Sequence, residues 1–471
     1  MWSPLHLVLL GLRQRAVLKK TPEQIRAIQQ ARLRQLVACA KANSPFHAAR
    51  LQHIDPERCG LAELPTFNKT QMMTNFDRFL TVRDVRQAEV EKFMSEPARL
   101  GEWYLGKYAV SHTSGTSGVQ AVIVQDRRMM ELLFALQMLR GSALTQTRAS
   151  IFKRLFQRTR FAVVTIGRGF YPSAAALAYQ PAAAHFFMRQ LWLSQIEPLH
   201  QVVAKLNEFQ PEVLLAYANV LEILAREVHS GRLKIGAAGS LRQLMNMSEP
   251  LSAGARKFTE ESFGLPVTDN YAMGECMALT TGCARGQGMH LQADWAILEV
   301  VDRLNRPVPD GQHGEKVLIT NLYNTIQPFI RYEVNDVVTL SAKPCICGSP
   351  FPLIEKVEGR TDEVVWIKDG DGFRQVHPYV FVDVLDEFPA VGWYQIVQTE
   401  RNRFVLRAAP APGRTVTLDE LREVMRKGLQ RFHLADLIQL EIEIHDQVAP
   451  DPKTGKLKRI TSLIGKPEQV G

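Results

Sequence analysis

A run of small residues, Thr113-Ser114-Gly115-Thr116-Ser117-Gly118, is the segment of this sequence best suited to bind phosphate. Its glycines allow successive backbone N–H groups to turn inward around an anion, and its hydroxyls add further donors. No Gly-Lys-Ser/Thr follows, so the run is not a Walker loop. A Ser/Gly turn between two strands would have the same composition, so the run alone is a weak predictor of phosphate binding.

Two later segments place carboxylates near aromatic or basic residues. Tyr271 precedes Glu275 by four positions; such a ring can stack on a base, and such a carboxylate can hold Mg²⁺ beside phosphates. Asp336 stands at the end of a predicted strand, where its two oxygens suit ribose hydroxyls, and Gly359-Arg360-Thr361-Asp362 follows it. Taken singly, each carboxylate is more simply explained as an ordinary surface group.

A basic segment lies near the end of the sequence, Asp451-Pro452-Lys453-Thr454-Gly455-Lys456-Leu457-Lys458-Arg459. A solvated tail is the usual interpretation of such a run. A cation is nevertheless the group that an acid needs when it attacks a phosphate, because it offsets the repulsion between two anions.

Four possible metal ligands occur in two groups. Cys283 and His290 follow the Glu275 segment, and Cys345-Ile346-Cys347-Gly348 precedes Gly359. Because these groups flank the predicted strands of residues 315–340, we expect them to meet and form a Cys₃His site for structural Zn²⁺. Buried, reduced cysteines with a surface histidine are the alternative, and Cys276 is a substitute ligand if Cys283 points away.

The pattern around these motifs predicts an α/β fold. Between residues 127 and 320, helical stretches alternate with short apolar runs such as 161–164 and 212–215, which indicates layers of helices and strands. Thr21-Pro22-Glu23-Gln24 and Thr417-Leu418-Asp419-Glu420 are typical helix starts. A boundary near residue 359 divides a large N-terminal domain (1–359) from a small α/β unit (360–471).

Composition excludes several classes of protein. The chain has 471 residues and a formal net charge of +9, but its basic residues are scattered, which favours a solvated basic surface over a nucleic-acid-binding face. No run of eighteen apolar residues predicts a membrane span. The N-terminus lacks the features of a secretory signal, and six cysteines fit a reducing cytoplasm.

In this order and spacing the motifs resemble those of the adenylate-forming superfamily of acyl-CoA synthetases, luciferases and peptide-synthetase adenylation domains. The resemblance covers nearly the whole chain and is strongest for the phenylacetate–CoA ligase-like branch, which has a Glu-Pro-Leu-Ser segment like that at residues 249–252. It implies a large multi-layer N-terminal domain with the ATP and acid sites, and a small mobile α/β C-terminal domain.

The resemblance also implies a role for each matching position. Residues 113–118 would bind the ATP phosphates, Tyr271 the adenine, Glu275 the Mg²⁺, and Asp336 with Arg360 the ribose. Asp362 would be the hinge of the C-terminal domain, and Lys456 would act with Glu275 in catalysis by contacting the acid and the α-phosphate. The candidates for the acid pocket are Tyr217, Asn246, Ala272 and the pair Phe170-Tyr171, with core packing as the alternative for the aromatic residues.

One segment departs from the family pattern. Relatives usually have Tyr-Gly-x-Ser/Thr-Glu, whereas this chain has Tyr271-Ala272-Met273-Gly274-Glu275. The hydroxyl before the glutamate is missing, so one phosphate contact must come from elsewhere or from water. Ala272 adds a methyl group where relatives have glycine, which puts the identity of the acid in doubt more than adenylation itself.

The resemblance therefore implies ATP-dependent adenylation of a carboxylic acid, of the aromatic kind, followed by transfer to CoA. Transfer to an acyl carrier protein or an amine, and adenylation of a phenolic hydroxyl, are alternatives, as is a non-catalytic nucleotide-binding descendant. Besides the small-molecule acid and CoA or a carrier protein, a second copy in a homodimer is a candidate partner. Nucleic acid is not expected.

Overall fold

The structure is a computed structural model. It describes residues 4–467 except 114–118, 141–157, 166–168, 196, 248–250, 252, 284, 361–364, 377–379, 382–383, 386–387, 389, 412, 447–458 and 466. Among the helices of this described part, none is both long enough and apolar enough to cross a membrane.

Local sequence determines where several helices begin. Thr21 and Gln24 exchange side-chain-to-backbone hydrogen bonds and Pro22 occupies the first turn, as predicted; Thr417 and Glu420 form the same capping box. The described α-helices are α1 (Pro4–Ala16), α2 (Pro22–Asn43), α3 (Pro45–Arg50), α4 (Lys69–Thr74), α5 (Phe76–Phe79), α6 (Gln87–Met94), α7 (Arg127–Leu139), α8 (Pro172–Ala178), α9 (Leu199–Phe209), α10 (Ala218–His229), α11 (Ala253–Phe263) and α12 (Leu418–Arg431).

The strands alternate with these helices in the first half of the chain and follow one another in the second, which confirms the predicted α/β class. They are β1 (Tyr108–His112), β2 (Val122–Asp126), β3 (Thr159–Thr165), β4 (Met188–Ser194), β5 (Val213–Tyr217), β6 (Gln243–Met247), β7 (Val267–Asn270), β8 (Thr280–Gly282), β9 (Met289–Leu291), β10 (Ala296–Val301), β11 (Lys316–Asn321), β12 (Tyr332–Val334), β13 (Asp336–Leu340), β14 (Leu353–Arg360), β15 (Val365–Asp369), β16 (Gly372–Val376), β17 (Val391–Glu400), β18 (Arg403–Pro410), β19 (Gln439–Ile444) and β20 (Ile460–Ser462).

A parallel sheet of five strands, in the order β4-β3-β5-β6-β7, lies at the centre of the first half. Its apolar side chains, such as Leu214 and Leu244, are fully buried against helices α9, α10 and α11. The chain moves outward from β3 to β4 and then returns to place β5 on the other side of β3. Open parallel sheets bind ligands at the carboxyl ends of strands where the order reverses in this way.

A second sheet, β13-β14-β9-β8, is antiparallel. The turn between β8 and β9 passes very close to β14. A Cβ atom on Gly288 would lie 2.3 Å from the carbonyl oxygen of Ile354, and the φ angle of Gly288 is +122°, so only glycine fits there. Strands β10, β11 and β12 form a third sheet, and β1 pairs with β2 in a hairpin.

The C-terminal part has an apolar core of its own. Its sheet, β19-β18-β17-β20, packs on α12 together with the β15–β16 hairpin. The residues of this core, including Phe381, Ile396, Phe404 and Leu429, all lie between positions 365 and 460. The division of the chain at residue 359 stays a prediction, and this separate core supports it.

A buried cluster of charges joins the N-terminal helices to the rest of the molecule. The guanidinium of Arg140 donates to both carboxylate oxygens of Asp294, at 2.6 and 2.8 Å, and neither side chain is more than 1% exposed. Arg32 donates to the same carboxylate at 3.1 Å and lies over the ring of Trp295. Arg140 also donates to the carbonyl oxygen of Gln14 at 2.7 Å, so the cluster fixes α1 and α2 against the loop after β9.

Replacing Asp294 by Ala should be strongly destabilising, because it leaves the buried Arg140 without its counter-charge. We expect the free energy of unfolding to fall by about 3–5 kcal/mol, measured by urea denaturation. Glu400→Ala is the control, since Glu400 pairs with Arg403 at 3.2 Å on an exposed surface, where ion pairs contribute little. Equal denaturation midpoints for the two variants would contradict the interpretation.

Candidate functional site

The predicted site residues gather at the carboxyl-terminal edge of the parallel sheet. Tyr217 ends β5 and is in register with Met247, which in turn is in register with Asn270 at the end of β7. Tyr271 follows directly. This edge is where the strand order favours a ligand, so the fold places the motifs where open parallel sheets commonly bind ligands.

Tyr271 is held by hydrogen bonds at both its backbone and its ring. Its hydroxyl donates to Oδ2 of Asp336 at 2.6 Å, across 65 positions of sequence. The Oγ1 atom of Thr280 accepts from the backbone N–H of Tyr271 at 2.9 Å and donates to its carbonyl oxygen at 2.7 Å. The residues predicted to contact adenine and ribose are thus in direct contact with each other.

Asp336 and Arg360 are neighbours in the second sheet. Asp336 begins β13, Arg360 ends β14, and the two are in register. The backbone therefore places both predicted ribose-binding residues at the same end of one strand pair, beside Tyr271.

Glu275 is buried, with 6% of its surface exposed. Its Oε1 atom accepts a hydrogen bond from the hydroxyl of Tyr332 at 2.9 Å, and its carbonyl oxygen accepts one from Nδ2 of Asn321 at 2.7 Å. A carboxylate has acceptor capacity beyond one such bond, so these contacts orient Glu275 without using up its ability to bind a cation.

Gly274 lies against the first residue of the hydroxyl-rich loop. A Cβ atom at this position would be 3.0 Å from Cγ of Pro172 and 3.3 Å from Cγ2 of Thr113. The serine or threonine that relatives have before the glutamate would therefore press on Pro172 at the start of α8. Packing gives a physical reason for the missing hydroxyl.

Thr113, at the start of the segment between β1 and β2, is hydrogen-bonded to Ala121 at its end. Its backbone N–H donates to the carbonyl oxygen of Ala121 at 2.9 Å, and its Oγ1 atom accepts from the N–H of Ala121 at 3.0 Å. These bonds extend the antiparallel pairing of β1 and β2 by one residue on each strand, to Thr113 and Ala121. Residues Ser114, Gly115, Thr116, Ser117 and Gly118 lie outside the described residues.

The candidates for the acid pocket differ in their surroundings. Tyr217 is buried with its hydroxyl 3.4 Å from Oγ of Ser173, and Asn246 is buried and donates to Oδ1 of Asp269 at 2.9 Å. Ala272 is exposed. Phe170 is fully buried in the main apolar core, so the core-packing alternative applies to it.

The four predicted zinc ligands meet. One ligand atom from each of Cys283, His290, Cys345 and Cys347 lies within 4.8 Å of all the others. The Sγ atoms of Cys283 and Cys345 are 3.5 Å apart, and Nε2 of His290 is 3.1 Å from Sγ of Cys347. The edge of a tetrahedron around Zn²⁺ with sulfur ligands is about 3.8 Å, so the four atoms need little movement to bind one ion.

Groups around the cluster favour the forms of its side chains that bind metals. Burial lowers the pKa of His290, which favours the neutral imidazole that metals bind. Its Nδ1 atom is 3.2 Å from the carbonyl oxygen of Phe351, and a hydrogen bond there leaves Nε2 free to coordinate. Gly348, with φ at +76°, donates from its N–H to the carbonyl oxygen of Cys345. Cys276 is fully buried outside this group.

Several predicted residues fall outside the part of the chain that the structure describes. Asp362, Lys456 and residues 248–250 lie outside the described residues, and of Arg360 only the backbone is described. Conversely, sequence reasoning missed Thr280 and the role of Tyr332. A lone threonine gives no signal in a sequence. Tyr332, in contrast, lies in the same segment as the predicted site residue Asp336, four positions before it.

Comparison with known proteins agrees with this geometry. No family model matches the chain. It is 27% identical over 386 residues to the phenylacetate–coenzyme A ligase of Thermus thermophilus, covering 80% of this chain and 78% of that protein. A shorter match, 26% identical over 170 residues, covers 36% of this chain and 35% of Protein CapK of Staphylococcus aureus.

Solved structures share the fold. A 2-hydroxyisobutyryl-CoA ligase in its postadenylation state matches with a TM-score of 0.68 and 18% identity, covering 94% of this chain and 90% of that one. The anthranilate CoA ligase AuaEII matches with a TM-score of 0.51 and 14% identity, over 74% and 65% of the two chains.

The chain is thus similar in sequence to a phenylacetate–CoA ligase over most of its length and shares the fold of solved CoA ligases. These likenesses support the predicted resemblance to the phenylacetate–CoA ligase-like branch of the adenylate-forming superfamily.

Proposed function

We propose that this protein uses ATP to adenylate a carboxylic acid, releases pyrophosphate, and transfers the acyl group to CoA. The observation that supports this most directly is the 2.6 Å hydrogen bond between Tyr271 and Asp336. It places an aromatic face beside a carboxylate suited to ribose, at the edge of the sheet where ligands bind.

The residues present fit ATP and Mg²⁺. Asp336 would accept from the ribose hydroxyls, with Arg360 beside it, and the face of Tyr271 would contact the adenine. Glu275 would hold Mg²⁺, which when bound neutralises phosphate charge. The loop that begins at Thr113 would donate hydrogen bonds to the phosphates.

The chemistry requires an oxygen of the acid to attack the α-phosphorus of ATP. The new oxygen–phosphorus bond forms as the bond to pyrophosphate breaks. Lys456 would supply the positive charge between the two anions, where charge develops in the transition state. In the second step the thiol sulfur of CoA attacks the acyl carbon, AMP leaves with the bonding electrons, and the thiol proton is released.

The acceptor is proposed by analogy to the relatives. The Thermus thermophilus relative is named for its ligation of phenylacetate to coenzyme A, and the 2-hydroxyisobutyryl-CoA ligase is also known in complex with 2-HIB-AMP and CoA. These names favour CoA over a carrier protein, an amine or a phenolic hydroxyl as the reaction partner. The presence of Lys456 together with Asp336 and Arg360 disfavours a descendant without catalysis, which has no physical need for these groups together.

We further propose an aromatic acid as the substrate, bound near Tyr217, Asn246 and Ala272. The buried position of Tyr217 at the end of β5, where the strand order reverses, supports this placement.

A protein that uses ATP and CoA, and whose described cysteines form no disulfide, fits the cytoplasm. The homodimer is a separate proposal, which light scattering can test.

The proposed reaction predicts release of pyrophosphate from ATP that depends on both Mg²⁺ and an acid. A panel of aromatic and aliphatic acids, each assayed with and without CoA, should identify at least one that yields an acyl-AMP by mass spectrometry. CoA should convert that adenylate to a thioester. If ATP does not bind at millimolar concentration, the proposal is wrong.

Lys456→Ala should reduce adenylate formation about a hundredfold or more, the scale of a lost contact to transition-state charge. The affinity for ATP and the thermal stability should change little. Lys453→Ala and Lys458→Ala are the controls from the same segment and should have much smaller effects. Equal losses from all three would instead indicate a general basic patch.

Thr280→Val tests whether Thr280 positions Tyr271. The variant keeps the shape of the side chain but loses both hydrogen bonds to the Tyr271 backbone, so the dissociation constant for ATP should rise about 3- to 10-fold by calorimetry. Thr281→Val is the matched control, since the Thr281 hydroxyl accepts from Gln292, at 2.6 Å, rather than bonding to the Tyr271 backbone. An equal effect of both variants would show that β8 is merely being destabilised.

We propose that Cys283, His290, Cys345 and Cys347 bind one structural Zn²⁺. Four protein ligands leave no open coordination position, so no catalytic step is assigned to the ion. Metal analysis of dialysed, untagged protein should find about one zinc per chain, and Cys345→Ser should lose most of it.

Cys39→Ser is the control for this experiment, because Cys39 lies in α2, outside the four-residue cluster. It should retain the metal of the unmodified protein. Protein expressed with added zinc that contains none, and in which the half-buried Cys345 and Cys347 react freely with a thiol reagent in the native state, would overturn the zinc proposal.

A further inference from the structure

The inner face of helix α1 is firmly attached to the molecule. Leu7 is 3% exposed and packs in an apolar cluster with Phe134 of α7. Near the helix end, Gln14 accepts from Arg140 through its carbonyl oxygen at 2.7 Å and from Nε1 of Trp295 through Oε1 at 2.8 Å. The rotation of α1 about its axis is thereby fixed.

The outer face of the same helix is apolar. Leu5, Leu9 and Leu12 are 65%, 48% and 45% exposed, and their spacing places them on one side of the helix; we call them the leucine face. Phe186, 61% exposed, belongs to a short 3-10 turn that contacts α1. A helix packed by one face ordinarily presents polar residues on the other, so the leucine face indicates a partner.

The charge around the leucine face identifies the kind of partner. Residues 1–20 include Arg13, Arg15, Lys19 and Lys20 but no aspartate or glutamate. At 100° per residue, Arg13 and Arg15 lie about 80° to either side of the leucine face. A second copy of the chain would bring this basic segment against itself, whereas an anionic lipid surface satisfies both the leucines and the basic side chains.

We propose that α1 docks the protein onto anionic membranes, with the leucine face among the lipid headgroups and acyl chains and the basic residues at the headgroups. The helix is about 20 Å long, too short to span a hydrocarbon core of about 30 Å, so it lies in the plane of the surface. This proposal is independent of the adenylation chemistry.

Co-sedimentation with lipid vesicles tests the proposal on the full chain without an N-terminal tag. The protein should bind vesicles containing phosphatidylglycerol and phosphatidylcholine, bind pure phosphatidylcholine at least tenfold more weakly, and lose affinity as salt is raised. Leu5→Gln/Leu9→Gln/Leu12→Gln should reduce binding to the anionic vesicles at least tenfold. No binding by the unmodified protein would overturn the proposal.

Leu199→Gln/Leu304→Gln/Leu418→Gln is the matched control, because these leucines are 40%, 71% and 45% exposed on other elements. It should bind vesicles as the unmodified protein does; an equal loss would overturn the proposal. Arg13→Gln/Lys19→Gln changes exposed residues only and should weaken the preference for anionic lipid, so it tests the proposal even if the triple variant misfolds. A dimer seen by light scattering that dissociates in the leucine-face variant would assign the face to a second copy instead.

Discussion

The arrangement of the site depends on the register of the four-stranded sheet β13-β14-β9-β8. Asp336 is in register with Arg360 between β13 and β14, and Thr280 of β8 binds the backbone of Tyr271. The Cys283, His290, Cys345 and Cys347 cluster brings together the connection between β8 and β9, strand β9 itself, and the connection between β13 and β14. A shift of one residue in a strand turns every side chain to the opposite face, so any bond that fixes the strand ends also fixes Asp336 relative to Tyr271.

The cysteine and histidine cluster suits that task because its connecting turns are tight. Gly288 approaches the carbonyl oxygen of Ile354 so closely that no side chain fits, and Gly348 has a positive φ angle. Short, constrained turns have few alternative conformations, and a metal ion bound to both would cross-link the connections between these strands. The proposed zinc therefore explains both the cluster itself and the constancy of register that the nucleotide residues require.

How much of this could be read from the sequence depends on the range of the interactions. The capping boxes at Thr21 and Thr417 were predictable because both partners lie within four residues of each other. The contact between Tyr271 and Asp336 spans 65 positions and is set by strand pairing, so only the order of the family motifs pointed to it. The role of Thr280 arises from the fold alone and has no sequence signature.

The missing hydroxyl before Glu275 shows how packing and chemistry constrain the same residue. Gly274 is in close contact with Pro172 and Thr113, so a serine there requires these side chains to shift by a few tenths of an ångström. A hydrogen bond to a charged phosphate is worth about 1.5–3 kcal/mol, which a site that binds ATP must recover elsewhere. Thr113 uses its own Oγ1 to accept from Ala121, but a hydroxyl can accept and donate at once. Its proton therefore stays available to a phosphate oxygen, next to the position where the family hydroxyl would stand.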